Sequence, residues 1–230
     1  MLNSKNLKDP NAAIQNQEPL VSLTGVSERI HVYPYYYKQN MPGSVNDCFV
    51  REGVMKKLLT VVNSIPENYD LVILDGWRSF ETQNALFDMA KQQFQSMFDS
   101  ESELLEHVSK FVARPSKDYL SSSPHYTGGA VDLTIASKHE WLNMGTAFDE
   151  FTEKASSLYF EGQAHLTKEE LEIRDNRRLL RYTMENAGFC INPDEWWHFD
   201  YGNSRWAKET ALEPIYYGIE LNTKGRESHD

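Results

Sequence analysis

Apolar positions along the chain switch between a helical and an extended spacing. "GVMKKLLTVVNSI" (53–65) repeats its apolar residues at helical intervals and predicts a helix of about three turns. "YDLVILDG" (69–76) is a short apolar run closed by a glycine, as in a buried strand. Ser79 can cap the next helical pattern, "FETQNALFDMAKQQFQSMF" (80–98). Ser100-x-x-Glu103 has capping-box spacing and opens "ESELLEHVSKFVA" (101–113). A Ser/Pro-rich loop leads to the strand-like "GAVDLTI" (129–135). Thr167-x-x-Glu170 is a second capping box, starting a helix that runs to about Ala187 and stops at Gly188. "FCINPDEWWHFDY" (189–201) reads as two strands joined by a turn at Asn192-Pro193-Asp194. The order is helix, strand, helix, helix, strand, helix and a strand pair. It predicts an α+β fold with a small, largely antiparallel sheet packed against several helices.

Residues 1–27 are polar, rich in Asn and Gln and without periodicity, so they are expected to form an arm outside the domain. The domain is placed at 28–218, and 219–230 is expected to be a solvated tail. No repeat or low-complexity linker divides the rest.

Composition narrows the function classes. At 230 residues the chain can bury a sizeable core as one domain. A formal charge of −11 leaves no basic face for nucleic acid or an anionic membrane. No run approaches the ~18–20 apolar residues of a membrane span. The first residues lack the apolar core of a secretory signal, so a cytoplasmic location is expected. Cys48 and Cys190 are far apart, without CxxC spacing, and are expected to be free thiols.

Two stretches carry candidate chemistry. In "SPHYTGGAVDLTI", alternation sets Val131, Leu133 and Ile135 on one strand face and Asp132 on the other. A carboxylate among apolar residues needs a cationic partner if it is buried. The Gly-Gly pair can let His125 fold back beside it. In "DEWWHFDYG", Glu195 and His198 have an odd separation and would face opposite sides of a perfect strand. The preceding turn can bring Glu195 over the His198 face, with the tryptophans as a dry wall. A catalytic zinc site typically has three N/O ligands and a place for water. His125, Asp132 and His198 supply such a set, leaving Glu195 as a base that does not ligate. Arg78, on the turn after "LVIL", is either an oxyanion or carboxylate donor or one half of a surface ion pair with Asp75 or Glu81. His31, His107, His139, His165 and His229 lie outside both stretches and are expected to be surface or structural.

Together, "DGWRSFETQ", "SPHYTGGAVDLTI", "MGTAFDEF", "NRRLL…MENAGF" and "EWWHFDYG" resemble the zinc D-alanyl-D-alanine dipeptidases. These are related to cell-wall D,D-carboxypeptidases and to the zinc fold of hedgehog domains. The resemblance spans roughly 28–218. It implies one Zn²⁺ per chain on His125, Asp132 and His198, with Glu195 as general base and acid. It also implies Arg78 on the oxyanion, Asp149 on the substrate's free amino group, and Ser123 near its carboxylate end. Tyr37 or Asn40 are expected to line the same site.

The implied partner is the small dipeptide D-Ala-D-Ala, with a place in peptidoglycan metabolism; a homo-oligomer is left open. Trp77 and Ser79 flank Arg78 where the family usually has Tyr and Pro, a change that should loosen the turn slightly. Three other readings stand beside this one. A peptidoglycan D,D-carboxypeptidase or endopeptidase would share the zinc chemistry with a more open site. A non-catalytic zinc-binding module would need the three ligands but no Glu195. A structural zinc site would want a fourth protein ligand, for which Cys190 is the nearest candidate.

Overall fold

A computed structural model describes residues 18–138 and 140–222. Among the described residues, eight strands and six α-helices form one α+β unit, as the periodicity predicts. The strands are β1 (Leu20–Ser22), β2 (Ile30–Val32), β3 (Phe49–Arg51), β4 (Tyr69–Asp75), β5 (Ala130–Ser137), β6 (Glu140–Trp141), β7 (Cys190–Asn192) and β8 (Glu195–Asp200). The helices are α1 (Tyr35–Lys38), α2 (Glu52–Ser64), α3 (Phe80–Phe94), α4 (Glu101–Phe111), α5 (Lys168–Asn186) and α6 (Ser204–Thr210). Among the described residues no helix is long and apolar enough to cross a membrane.

The main sheet runs β2-β4-β5-β8-β7, with β6 paired to β5. Only the β2–β4 pair is parallel; the others are antiparallel. β5 lies between β4 and β8 and is buried on both faces: Val131, Leu133 and Ile135 are enclosed, and so are Ala130, Asp132 and Thr134. The Asp132 face is therefore not a solvated strand face but turns into the interior, where Asp132 lines a cavity. The helices bury single stripes, Val54, Leu58, Val61 and Val62 on α2 and Ile173, Arg177, Leu180 and Met184 on α5.

Local signals hold in part. Ser79 Oγ accepts from the Thr82 amide at 3.0 Å and caps α3, which ends at Phe94 and passes into a 3-10 turn, Gln95–Met97. The Thr167–Glu170 capping box forms, and Gly188 takes φ +90° just past α5. Ser100 occupies the N-cap of α4, but its side chain makes no capping bond.

The ends of the domain also differ from expectation. Most of the polar arm, residues 1–17, lies outside the described residues, as do 223–230 of the tail. Within the described part, β1 pairs antiparallel with β3 and Leu23 is fully buried. Three-residue strands are too short to register as periodicity. Ile219 and Leu221 pack on Phe49, Trp77 and Tyr126, and Trp77 Nε1 donates to the Ile219 carbonyl at 2.7 Å. The start of the tail is thus docked on the loop that carries Arg78.

Candidate active site

Three adjacent strands set a row of side chains across the sheet. Asp75 of β4 pairs with Asp132 of β5, and Asp132 pairs with His198 of β8. Directly opposed residues of antiparallel strands point to the same face, so the three side chains converge. His125 reaches them from a 3-10 turn, His125–Thr127, that ends at Gly128 with φ +70°. Gly129 then runs so close to β8 that an added Cβ would sit 2.5 Å from the Tyr201 carbonyl oxygen. The Gly-Gly pair therefore brings His125 beside Asp132.

Within the cluster, His125 Nε2 lies 3.3 Å from Asp132 Oδ2 and 3.1 Å from His198 Nδ1, which lies 3.0 Å from Asp132 Oδ1. The outer ring atoms are already engaged. His125 Nδ1 meets the Gly76 carbonyl at 2.7 Å, and His198 Nε2 meets Asp200 Oδ1 at 3.1 Å. A carbonyl can only accept, and a carboxylate accepts as well, so those two nitrogens carry the protons. The inner nitrogens then turn lone pairs toward each other and toward a carboxylate. Asp132 Oδ1 is buried with no hydrogen-bond partner. Three facing donor atoms in a dry site call for a cation, and among the described residues His125, Asp132 and His198 are the only set placed to hold a metal ion. Cys190 is not in the cluster.

The same groups are coupled through their charges. Burial works against charge on Asp132, yet His125 and His198 hold its carboxyl far below the usual carboxylate range. Burial likewise disfavours a charged His198, but Asp200 and Asp132 push it up to about 10. Asp200 is in turn held by Asn203 Nδ2 at 2.6 Å.

Around this cluster is a cavity of about 190 Å³, lined among others by Arg78, Ser123, His125, Asp132, Asp149, Glu195 and His198. The candidates His125, Asp132, His198, Glu195, Arg78, Asp149 and Ser123 thus meet in one place. Glu195 Oε2 is 3.8 Å from His198 Nδ1. The odd separation is resolved by a shift in strand pairing: Ile191 pairs with Phe199, but Asn192 pairs with Glu195. Asn192 Nδ2 donates to Glu195 Oε2 at 2.6 Å. Burial pushes the Glu195 carboxyl up to about 7; Asp132 and Asp149 add to the rise, and His198 and Arg205 oppose it.

The family model for D-ala-D-ala dipeptidases, a peptidase family, matches residues 21–213. The chain belongs to the D-ala-D-ala dipeptidase family of metallopeptidases. A D-alanyl-D-alanine dipeptidase of Synechocystis sp. is 29% identical over 210 residues, covering 83% of this chain and 84% of that protein. One from Enterococcus faecium is 28% identical over 138 residues, covering 58% of this chain and 62% of its own length. A solved structure described as VanYB in complex with D-alanine-D-alanine aligns with a TM-score of 0.46 at 16% identity, covering 86% of this chain and 87% of that one.

Other features of the candidate site were less legible in the sequence. Arg78 is buried rather than paired at the surface. Asp75 Oδ2 accepts from its Nε at 2.8 Å, Gln83 Oε1 from Nη1 at 3.0 Å, and the guanidinium sits 4.7 Å from the Tyr36 ring centroid. Its Nη2 lies 3.4 Å from Asp132 Oδ2, so arginine and cluster form one network. Of the residues in the tyrosine-rich segment, it is Tyr36 that lines the cavity; Tyr37 is largely exposed, and Asn40 is exposed outside the cavity. Burial pushes the Asp149 carboxyl up to about 6, against the pull of Arg78 and of the Tyr36 hydroxyl. Asp149 holds φ +65°, a costly conformation for a non-glycine residue, as found where the surroundings fix a functional group.

Proposed function

We propose that the chain hydrolyses the dipeptide D-alanyl-D-alanine to two molecules of D-alanine, with zinc held by His125, Asp132 and His198. The observation that carries this reading is the set of three inward-facing donor atoms with Glu195 beside them. The separations of 3.0, 3.1 and 3.3 Å match the ~3.3 Å edges of a tetrahedron with ~2.0 Å bonds, as zinc prefers. Zinc bound there would polarise the scissile carbonyl and lower the pKa of a water.

Glu195 takes a proton from that water and returns it to the leaving amine. A carboxyl pushed up to about 7 suits both halves of that exchange at neutral pH. Asn192 fixes the orientation of its carboxylate. Arg78 donates to the oxyanion as its charge develops, braced by Asp75 and Gln83 so that little rearrangement is needed. Asp149 and Tyr36 take the free ammonium of the substrate, and the ion pair offsets the burial that raises the Asp149 carboxyl. Ser123, buried in the same wall, contacts the carboxylate end.

The test is release of D-alanine from D-Ala-D-Ala and from its N-acetylated form. Cleavage of the free dipeptide alone is expected, because blocking the amine removes the ion pair and leaves Asp149 buried without a counter-charge. Equal cleavage of both would move the function to a D,D-carboxypeptidase and remove the role of Asp149.

A further inference from the structure

Three cationic side chains line the cavity: Arg78, Lys110 and Arg205. Arg78 is spent on Asp75, Gln83, Tyr36 and Asp132. Lys110 is an exposed residue in the last turn of α4. Arg205, at the start of α6, is different. Its side chain is 38% exposed, and its nearest acidic atom is Asp200 Oδ2 at 3.8 Å, beyond hydrogen-bond length. Among the described residues its guanidinium makes no hydrogen bond. Its backbone is held by Asn203 Oδ1, which accepts from the amides of Arg205 and Trp206 at 3.0 Å, and Trp206 is buried beneath it. The site thus presents a half-buried guanidinium, paired with Asp200 at 3.8 Å but free of hydrogen bonds, on an anchored backbone.

We propose that Arg205 is a specificity residue of this cavity, taking the C-terminal carboxylate of the substrate. The assignment rests on the dipeptidase reading above and places the other end of the substrate. Glu195 returns its proton to the leaving amine, and that amine belongs to the C-terminal residue, whose carboxylate is separated from it only by the α-carbon. The carboxylate therefore lies on the Glu195 side of the cavity. Arg205 is on that side: it lines the cavity together with Glu195 and His198, and its Nη1 lies 3.8 Å from Asp200, which meets the His198 ring at 3.1 Å. Asp149, beside Tyr36 and Arg78, marks the ammonium end. A zwitterion laid across the cavity between Asp149 and Arg205 would have each charge met. The planar fork of Arg205 suits a carboxylate in a bidentate pair.

The test measures kcat and KM of zinc-loaded wild type, Arg205→Gln and Arg205→Lys on D-Ala-D-Ala and on its C-terminal amide, with the zinc content of each protein. Wild type is expected to prefer the free acid by about 100-fold. Arg205→Gln should raise KM for the free acid by about 30- to 100-fold, with kcat within about threefold. The loss should be confined to the free acid, so that the preference collapses. Arg205→Lys should recover part of it, since the charge stays and the fork is lost. Equal losses on both substrates would overturn the assignment and mean that Arg205 acts through Asp200 and His198; so would a wild type indifferent to the amide. If wild type leaves the free dipeptide intact, the dipeptidase reading itself fails, and this assignment with it.

Discussion

The segment that carries Asp149 hangs on one buried arginine. Arg177 of α5 donates from Nε to the Met144 carbonyl at 2.7 Å, from Nη1 to Ser156 at 2.9 Å and from Nη2 to Lys154 at 3.0 Å. Its guanidinium lies 4.8 Å from the Phe160 ring centroid and 5.8 Å from that of Trp196. Replacing it with methionine keeps the apolar stem and frees three carbonyls. Hydrogen bonds from a charged donor contribute about 1.5–3 kcal/mol each, so the gross loss is about 5–9 kcal/mol.

Against this stands the cost of burying the guanidinium, visible in a pKa that burial pushes down to about 10. A net destabilisation of about 3–5 kcal/mol follows, near the top of the range for single substitutions. In a chain of this size it lowers Tm by about 6–20 °C. Urea unfolding of Arg177→Met against wild type measures it. Because the clamped carbonyls bracket Asp149, KM for the free dipeptide should rise while kcat holds. A change below about 1 kcal/mol, or a fall in kcat at constant KM, would refute the clamp.

Other substitutions separate local effects. Thr167→Ala should cost about 1 kcal/mol by breaking the capping box of α5, whereas Ser100→Ala, which removes no capping bond, should stay within about 0.5 kcal/mol in the same urea titration. Asp75→Asn weakens the brace of Arg78 without emptying its place. Steady-state kinetics should show kcat down about 10- to 100-fold, below the ~10²–10³ of losing an oxyanion donor outright, with KM nearly unchanged. Zinc at 100 times its Kd should raise Tm of the metal-free protein by about 5–10 °C, and Asp132→Asn should abolish the rise. A thermal scan in which the variant responds like wild type would remove Asp132 from the ligand set.

The long elements were legible because they repeat: the stripes of α2 and α5, the run of β4 and the turn between β7 and β8 each carry a period or a breaker. The convergence of His125, Asp132 and His198 followed from the Gly-Gly pair and the strand pattern. What escaped depends on tertiary pairing. Asp75 is visible beside Arg78, but only its register opposite Asp132 makes it part of a buried row. Tyr36 rather than its neighbour Tyr37 faces the cavity because of how α1 docks, and four residues give no amphipathic stripe from which to read that. Arg205 follows a conspicuous motif, but nothing in its own spacing marks it; only the shared wall with Glu195 does. Strands β1, β2 and β3 have three residues each and exist through their partners rather than through propensity.

The central claim is that a metal on His125, Asp132 and His198 works with Glu195 as the proton carrier. The most direct measurement is D-alanine release from D-Ala-D-Ala by wild type and by Glu195→Gln, each brought to one zinc per chain. The account predicts steady release of two D-alanines per dipeptide by wild type. It predicts a kcat lower by at least about 10³-fold in the variant, with zinc affinity changed by less than about tenfold. A variant that keeps its turnover, or that loses it only because it no longer binds zinc, would contradict it.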